Sequence, residues 1–419
     1  MDIFKAADIL IPKQDTDFAK WSVVACDQYT SEPEYWQDVK DIVGDNISTL
    51  NMIFPEVYLE NDGADERIDS INKTMGKYLD SGVFEELKDA YIYVEREQSD
   101  GKIRRGVVGM VDLDAYDYSK DSQSPVRATE GTILERIPPR QRVRRNAPLE
   151  LPHIMLLTDD INNEIIAPLA DKTDEMRKIY DFKLMKDSGH IKGWLISGAA
   201  KADFDSALDA LESRKNADEL AEGKRPLIFA VGDGNHSLAT AKSCREELKK
   251  TLTPEQAAVH PSRYALCELV NLYDDALVFE PIHRVVFDVE PEKLMYALFE
   301  YYPNASYENN GGQEIRYVYG DKSGAVYING GKSNIPVGSI QAFIDEYLAE
   351  NGGRVDYIHG EDVTRKLAAE EGCIGFMVDA MSKTELYPTV IADGSLPRKT
   401  FSMGEAADKR FYLEAKRIK

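Results

Sequence analysis

The chain has little cysteine and little histidine. Of its 419 residues only 4 are Cys and 6 are His. The cysteines are far apart and form no Cys-x-x-Cys pair, which argues against a zinc cage or a disulfide framework and predicts reduced thiols. No two His residues have the spacing of metal ligands, so the sequence predicts no metal site built from protein ligands alone.

The sequence also lacks segments that would place it in a membrane. No stretch reaches the roughly 18 consecutive apolar residues of a transmembrane helix. The N-terminal residues show no apolar core followed by a small-residue cleavage site. We therefore predict a cytoplasmic protein without a membrane partner.

Basic residues are scarce relative to acidic ones. Lys and Arg number 51 against 74 Asp and Glu, a formal net charge of −23. Such a chain has no basic footprint for duplex nucleic acid, so we predict no nucleic-acid partner. The same charge does not exclude a small anionic ligand in a local basic pocket. The hydrophobic share of 43% and the charged share of 30% are those of a globular protein.

Hydrophobic periodicity indicates helices and strands in irregular alternation. Hairpins are predicted over 91–111 and 315–328, where short apolar runs flank turns that contain Gly. The predicted helices include 32–43, 168–180, 202–213, 238–250, 291–302, 338–349 and 382–391. This pattern favours an α+β fold, with mixed sheets and helices, over a doubly wound parallel sheet.

One polar stretch, 303–313, is rich in Gly and Asn and suggests a domain boundary. It would divide the chain into a main α+β region over 1–302 and a C-terminal α+β region over 303–419. A long loop within one compact unit explains the same stretch.

The strongest local motif follows an apolar run over 227–231, which predicts a buried strand that turns into a helix. We call the connection Gly232–Ser237 the glycine turn. Its glycines allow positive φ and close approach of a ligand, and the helix N-terminus suits a phosphate. The predicted ligand-binding residues of the turn are Gly232, Gly234, Asn235 and Ser237, and the predicted catalytic residues are Asp233 and His236.

A plain strand–turn–helix connection explains the glycine turn as well. Gly, Asp and Asn are ordinary turn residues, and Asn235 and Ser237 are both capable helix caps. The turn is not a Walker loop, because no Gly-Lys-Ser/Thr follows, and its Gly-x-Gly-x-x-Gly pattern is incomplete.

The Arg-rich segment, residues 127–145, is a basic island in this acidic chain. It contains six Arg, two Glu and no Lys, a net charge of +4. Guanidinium groups match phosphate or carboxylate in a bidentate manner, so Arg142 and Arg145 are predicted ligand-binding residues. Ion pairs with the abundant Asp and Glu explain the segment equally well.

Two other places carry candidate residues. His283 is a candidate catalytic residue and Arg284 a candidate ligand-binding residue, although a His packed at the end of a strand is the simpler interpretation. Asp27 and Glu32, between an apolar strand and a helix, are candidate general bases or magnesium partners. Capping of that helix by the hydroxyl residues between them is the alternative.

The chain resembles the domain of unknown function 1015 family nearly end to end. Asp233-Gly234-Asn235-His236 resembles the family's Asp-Gly-His-His-Arg signature, with Ser237 in place of the Arg. If that Arg holds a phosphate in the family, this chain must supply the charge from elsewhere, and the Arg-rich segment is a candidate. The other matching blocks are Val24–Tyr29, Arg127–Thr132, Arg142 and Arg145 with the following Pro152–Asp159, His260–Asn271, Pro281–Arg284 and Pro397–Thr400. The family resemblance implies no particular activity.

The glycine turn and its helix are also similar to the ParB and sulfiredoxin superfamily, which includes free serine kinases. This similarity implies a ParB/sulfiredoxin-like core that cradles nucleotide phosphates. Our first hypothesis is a kinase-like enzyme that uses ATP or ADP with magnesium and acts on a small hydroxylated metabolite. The alternatives are a non-catalytic binding or regulatory protein for an anionic or phosphorylated ligand, and a small-molecule phosphohydrolase. The sequence leaves the substrate and the oligomeric state open.

Overall fold

A computed structural model shows that the chain folds into two units. It describes residues 3–24, 29, 32–58, 63–151, 154–409 and 411–419. The first unit comprises Met1–Ala128, Thr132–Leu277 and Glu405–Lys419, and the second unit comprises Thr129–Gly131 and Val278–Gly404.

Helices and strands occur in both units. The helices are α1 (Phe18–Trp21), α2 (Pro33–Val43), α3 (Ala64–Asp80), α4 (Ile137–Arg145), α5 (Gly198–Ala221), α6 (Asn235–Lys249), α7 (Pro254–Val259), α8 (Pro291–Tyr301), α9 (Pro336–Asn351), α10 (Glu361–Ala368) and α11 (Lys383–Asp393). The strands are β1 (Phe4–Lys5), β2 (Ala7–Pro12), β3 (Val23–Val24), β4 (Phe84–Glu97), β5 (Ile103–Asp112), β6 (Tyr116–Asp117), β7 (Val126–Ala128), β8 (Leu149–Glu150), β9 (Met155–Thr158), β10 (Arg177–Lys183), β11 (His190–Ile196), β12 (Phe229–Asp233), β13 (Tyr264–Asn271), β14 (Phe279–Phe287), β15 (Gln313–Tyr319), β16 (Lys322–Ile328), β17 (Arg354–His359), β18 (Ile374–Met377), β19 (Phe401–Met403), β20 (Phe411–Tyr412) and β21 (Lys416–Arg417).

A mixed sheet forms the centre of the first unit, in the order β10-β11-β4-β5-β13-β9-β12-β7-β6. Alternate residues of β4 serve different cores: Tyr91 and Tyr93 pack in one cluster of buried side chains, Ile92 and Val94 in the other. Successive side chains of a strand point to opposite faces, so this sheet is covered on both faces. Burial on both faces explains why β4 contains a continuous apolar run instead of a polar–apolar alternation.

The parallel pair β7–β12 positions the glycine turn. Phe229 pairs with Val126 and Val231 with Ala128, in parallel register. Carboxyl ends of parallel neighbours lie at the same edge of a sheet, which is where ligands bind in many α/β proteins. The segment that follows β7 therefore emerges beside the start of α6.

The second unit contains an antiparallel sheet in the order β16-β15-β18-β14-β17, with β19 paired to β14. Strand β14 belongs to this unit because its hydrogen-bonding neighbours do. The stretch 303–313, predicted as a boundary, lies between α8 and β15 within the second unit. The observed divisions fall at 128/129, 131/132, 277/278 and 404/405, whereas the sequence predicted a single division at 302/303.

Helices combined with mixed parallel and antiparallel sheets confirm the predicted α+β class. Both predicted hairpins are present, as β4–β5 and β15–β16. The helix predicted over 168–180 is wrong. The segment instead contains a 3₁₀ helix, Ala167–Glu175, followed by β10. Strand β10 pairs with β11, and this tertiary pairing overrides the local periodicity.

Two general features complete the description. Cys244, Cys267 and Cys373 are free cysteines, and Cys26 lies outside the described residues. None of the helices in the described part of the chain combines the length and apolar character needed to cross a bilayer.

Candidate functional site

The end of β12 is irregular, and this irregularity forms the glycine turn. The register between β12 and β9 shifts between Val231 and Asp233. A Cβ at Gly232 would lie 2.8 Å from Leu157 Cγ, so only glycine fits against β9 at this point. The shift lets the strand leave the sheet before α6 begins.

Gly234 is the residue at which the chain changes from strand to helix. Its φ of +82° is left-handed, and it occupies the N-cap position of α6. The expectation that Asn235 or Ser237 caps the helix is therefore wrong: both lie within α6, because glycine adopts the required conformation without strain. Gly234 has no side chain to cap the helix, and the first turn of α6 contains no acidic residue.

Asp233 lies at the last position of β12 and is partly exposed. Its Oδ1 accepts a hydrogen bond of 2.8 Å from the N–H of Gly234. Its Oδ2 lies 3.7 Å from Nζ of Lys409, and the two side chains are 28% and 11% exposed. The carboxylate is thus oriented by the turn and neighbours a nearly buried cation.

His236 is held by the segment that follows β7. Its Nε2 accepts a hydrogen bond of 3.2 Å from the N–H of Ile133. In the neutral ring the proton therefore lies on Nδ1. The backbone carbonyl of His236 accepts from Thr240 Oγ1 at 2.7 Å, within the same helix. The ring is oriented as an Nδ1–H donor, and Nε2 is occupied.

Two polar side-chain atoms of this part of the first unit are buried without a hydrogen-bond partner among the described residues. They are Asn235 Oδ1, in the glycine turn, and Thr132 Oγ1, next to Ile133. Buried polar atoms are nearly always hydrogen-bonded in folded proteins. A ligand or bound water that supplies partners here would satisfy both atoms.

The last nine residues of the Arg-rich segment form α4, which packs along α6. Gln141 Nε2 donates to Ser243 Oγ at 2.9 Å and to Glu247 at 3.3 Å. Arg145 pairs with Glu247 at 3.0 Å, and Arg142 pairs with Asp65; all four charged side chains are substantially exposed. The ion pairs of the alternative interpretation are present, and ligand binding by Arg142 and Arg145 stays a prediction.

Arg127 has a structural role. It is buried and donates to the carbonyls of Ser124 at 2.8 Å, Arg225 at 2.8 Å and Pro226 at 3.2 Å. Backbone carbonyls therefore occupy this guanidinium, which ties β7 to the segment that leads into β12.

Arg144 has a buried partner, Glu150, at 2.6 Å. Burial alone would raise the pKa of Glu150. The charges of Arg144 and Lys416 and the N–H of Leu266 outweigh that effect and hold the pKa below its usual value. This carboxylate is a structural anion within the first unit.

The N-terminal candidates are placed only in part. Glu32 is the exposed N-cap residue of α2 and makes no side-chain capping bond, and Asp27 lies outside the described residues. Strand β3 ends at Val24, which pairs with Phe411 of β20. The last residue of β3, Val24, is therefore aligned with Phe411, which follows Lys409 by two residues.

His283 and Arg284 lie on β14, in the second unit. His283 is 1% exposed, and burial lowers its pKa. Arg284 is fully buried and donates from Nε to Gln341 at 3.0 Å, and burial lowers its pKa to about 10. Both side chains are packed within a sheet, as the simpler interpretation expects, and their roles toward a ligand stay predictions.

The family follows from a match over most of the chain. Residues 8–347 match the family described as "Protein of unknown function (DUF1015)". The chain belongs to this DUF1015 family. No curated protein matches the chain.

Solved structures similar to this DUF1015 protein have low sequence identity. A free serine kinase in complex with AMP is 11% identical, with 73% of this chain and 90% of that chain covered and a TM-score of 0.39. A mutant of a free serine kinase in complex with ADP is 10% identical, with 74% and 92% covered and a TM-score of 0.40. A conserved hypothetical protein from Pyrococcus furiosus is 10% identical, with 73% and 93% covered and a TM-score of 0.37. At these TM-scores nothing about the activity of this chain follows from the likeness.

Sequence reasoning missed Lys409. It stands in the run Asp408-Lys409-Arg410 near the C-terminus, which looks like ordinary surface charge. Its proximity to Asp233 depends on a contact between residues far apart in the chain, for which no local pattern exists. Among the described residues of this DUF1015 protein, no three His, Cys, Asp or Glu side chains cluster as metal ligands would.

Proposed function

We propose that this protein binds a nucleotide at the glycine turn and transfers its terminal phosphoryl group to a small hydroxylated metabolite. The cofactor is ATP or ADP with magnesium. The proposal covers both the binding of a phosphorylated ligand and the catalytic step.

The observation that carries the proposal is the structure of the glycine turn. A buried strand ends at the edge of the sheet, Gly234 is left-handed, and α6 begins without a side-chain cap or an acidic residue in its first turn. The positive end of a helix dipole at such a position favours a phosphate. Asn235 Oδ1 and Thr132 Oγ1, which have no hydrogen-bond partner among the described residues, add polar atoms that a bound ligand can satisfy.

His236 is suited to hold the phosphate. Since Ile133 donates to Nε2, the proton of the neutral ring lies on Nδ1. A donor aimed at a phosphoryl oxygen stabilises the charge that develops during transfer. His236 is accordingly a ligand-binding group in this proposal, and it acts as a base only if the bond from Ile133 breaks.

Asp233 is suited to handle the proton of the acceptor hydroxyl. It is partly exposed at the turn, and one oxygen is oriented by the N–H of Gly234. A carboxylate within reach of the acceptor can take its proton as the bond to phosphorus forms, as in other phosphoryl-transfer sites. Its oxygens are also ligands that magnesium prefers.

Thermal stability tests the binding part of the proposal. We expect ATP, ADP or both, with magnesium, to raise the melting temperature, because a ligand at a hundredfold excess over its Kd stabilises the folded state by about 2.7 kcal/mol. His236→Ala should remove most of this shift. His190→Ala is the matched control, since His190 lies on β11 of the same unit and pairs with Asp181. No shift with any nucleotide would refute the proposal.

Product analysis tests the catalytic part. We expect phosphorus NMR to show a new phosphate ester when the protein is incubated with ATP or ADP, magnesium and a panel of hydroxy amino acids and polyols. Asp233→Asn should slow formation of the ester without weakening the binding of the nucleotide. Release of inorganic phosphate without an acceptor would indicate the phosphohydrolase, and binding without turnover would indicate the regulatory protein.

A further inference from the structure

We propose that Lys409 is the cation that contacts the phosphate of the ligand at the glycine turn. The inference rests on the proposed function and deepens it, because it assigns the positive charge of the site to one residue. Lys409 lies outside the Arg-rich segment and near the other end of the chain.

The position of Lys409 is the first argument. Its Nζ lies 3.7 Å from Asp233 Oδ2, and its side chain is 11% exposed. At that distance the two groups form an ion pair that is too long for a hydrogen bond. Within the described part of the chain, Asp233 therefore attracts the ammonium of Lys409 without accepting a hydrogen bond from it, which leaves the amino group to a second acceptor at the turn.

The chemistry of the turn is the second argument. A phosphate beside Asp233 would meet a like charge, and a cation between the two groups removes that repulsion. A lysine that is nearly buried interacts more strongly with an anion than an exposed residue does, because water screens it less. Arg142 and Arg145, the cations predicted from sequence, are exposed and already paired with Asp65 and Glu247.

The backbone around Lys409 is held by buried arginines. Arg96, on β4, donates to the carbonyls of Ala407 and Lys409. Arg104, on β5, donates to the carbonyl of Asp408 at 2.7 Å. The two arginines are cross-strand partners. Burial of two guanidinium groups is costly unless they are well bonded, so the carbonyls of residues 407–409 are part of the core of the first unit.

The side chain of Asp408 also fixes the segment. It accepts a hydrogen bond of 2.8 Å from the N–H of Ser99 and another of 2.6 Å from Ser99 Oγ. Ala407, Asp408 and Lys409 are thus each bonded through the backbone carbonyl, and Asp408 is also bonded through its carboxylate. Lys409 extends from an immobilised backbone, which lowers the entropy that its ordering by a ligand would cost.

Calorimetry with the full chain, without magnesium, tests the inference. We expect Lys409→Gln to weaken ADP binding about tenfold or more, as loss of a charge-assisted hydrogen bond implies. Lys409→Arg should retain most of the affinity. Adenosine, which has no phosphate, should bind the wild type and Lys409→Gln equally. Lys215→Gln is the matched control, because Lys215 forms a partly buried ion pair with Asp159 in the same unit.

Asp233→Asn provides a second variant that keeps Lys409 in place. It removes the carboxylate that competes for the ammonium, so ADP should bind more tightly than to the wild type. Unchanged or weaker binding would contradict the inference.

The outcomes separate the inference from the proposed function. If the wild type binds ADP and Lys409→Gln binds it equally well, the assignment of Lys409 is wrong and the nucleotide site remains. An equal loss of ADP and adenosine binding would overturn the assignment too, because Lys409 would then shape the site without contacting phosphate. If the wild type binds ADP neither with nor without magnesium, the proposed function fails, and the inference fails with it.

Discussion

Two parts of the first unit differ in how their basic side chains are held. The Arg-rich segment has the densest positive charge in the sequence, yet its Arg142 and Arg145 form exposed ion pairs. Near the C-terminus, residues 407–409 contain one Lys, and buried arginines bind their carbonyls. The density of charged residues along the sequence therefore does not predict which charged side chains are held in place. Burial and hydrogen bonds to the backbone decide that.

The energetic difference between the two parts is large. An exposed ion pair contributes about 0–1 kcal/mol to stability, because water screens it and two flexible side chains must be ordered. Removal of one member of a buried charged pair costs about 3–5 kcal/mol, because its partner loses compensation. The largest effects are therefore expected at the arginines that bind residues 407–409.

The largest expected effect is that of Arg104→Met. Arg104 is buried, lies 3.8 Å from the buried Glu268, and donates to the carbonyl of Asp408. Its loss should lower the free energy of unfolding by about 3–5 kcal/mol, measured by urea denaturation. The matched control is Arg142→Met. Similar effects of the two substitutions would remove the distinction between the buried and the exposed arginines.

The second prediction concerns Glu150, the buried partner of Arg144. Its pKa is held below the usual value in the folded state, so the carboxylate stabilises the fold above its unfolded pKa, and this contribution is lost as pH falls through the folded pKa. At pH 7 Glu150→Gln should cost roughly 1.5–3 kcal/mol. Thermal unfolding from pH 7 down to pH 3 should show the gap between wild type and variant narrowing with acid. A gap that widens with acid would contradict the assigned direction.

Gly234→Ala tests the turn that Lys409 approaches. Alanine at a φ of +82° is strained, and its Cβ would lie 3.1 Å from Ile154 Cα. The variant should lose about 1–2 kcal/mol of stability and bind nucleotide more weakly. Gly131, in the Arg-rich segment, is the control: a Cβ added there would have no described atom within 4 Å, so Gly131→Ala should change stability by less than about 0.5 kcal/mol. Equal losses of stability in both variants would show that the effect does not depend on the positive φ and close packing of Gly234.

The smallest effect is expected for Arg145→Gln. The exposed pair with Glu247 should contribute less than about 1 kcal/mol, and the difference from wild type should vanish in about 1 M NaCl. Parallel calorimetry should show ADP binding that changes less than in Lys409→Gln. If Arg145→Gln weakens ADP binding more than Lys409→Gln does, the Arg-rich segment supplies the charge of the site, as the sequence suggested.

Much of the fold is visible in local patterns. The hairpins, the strand of residues 264–271 and the helices that begin at Pro33 and Pro291 follow from periodicity and start signals. The helix predicted over 168–180 failed, because pairing of β10 with β11 decided the conformation there. The glycine turn was found because glycine, strand and helix signals coincide within a few residues.

The candidate site was only partly visible, for a physical reason. Asp233, Gly234 and His236 are neighbours in sequence, and their local chemistry can be predicted from that alone. Lys409 is near Asp233 through tertiary contacts of its segment, among them the bond from Arg96 to the carbonyl of Lys409 at a sequence separation of 313. His283 and Arg284 carry equally suggestive chemistry, but the structure packs them into the sheet of the second unit.

By itself the sequence determined the α+β class, the strand–turn–helix at Gly234 and the acidic character of the chain, because these depend on side-chain periodicity, glycine conformation and composition. The tertiary structure decided which cation lies at the turn, that Arg142 and Arg145 are paired with carboxylates, and that the C-terminal residues return to the first unit. Those outcomes depend on contacts between distant segments, and burial in a shared core selects among the many pairings that the same residues would otherwise allow.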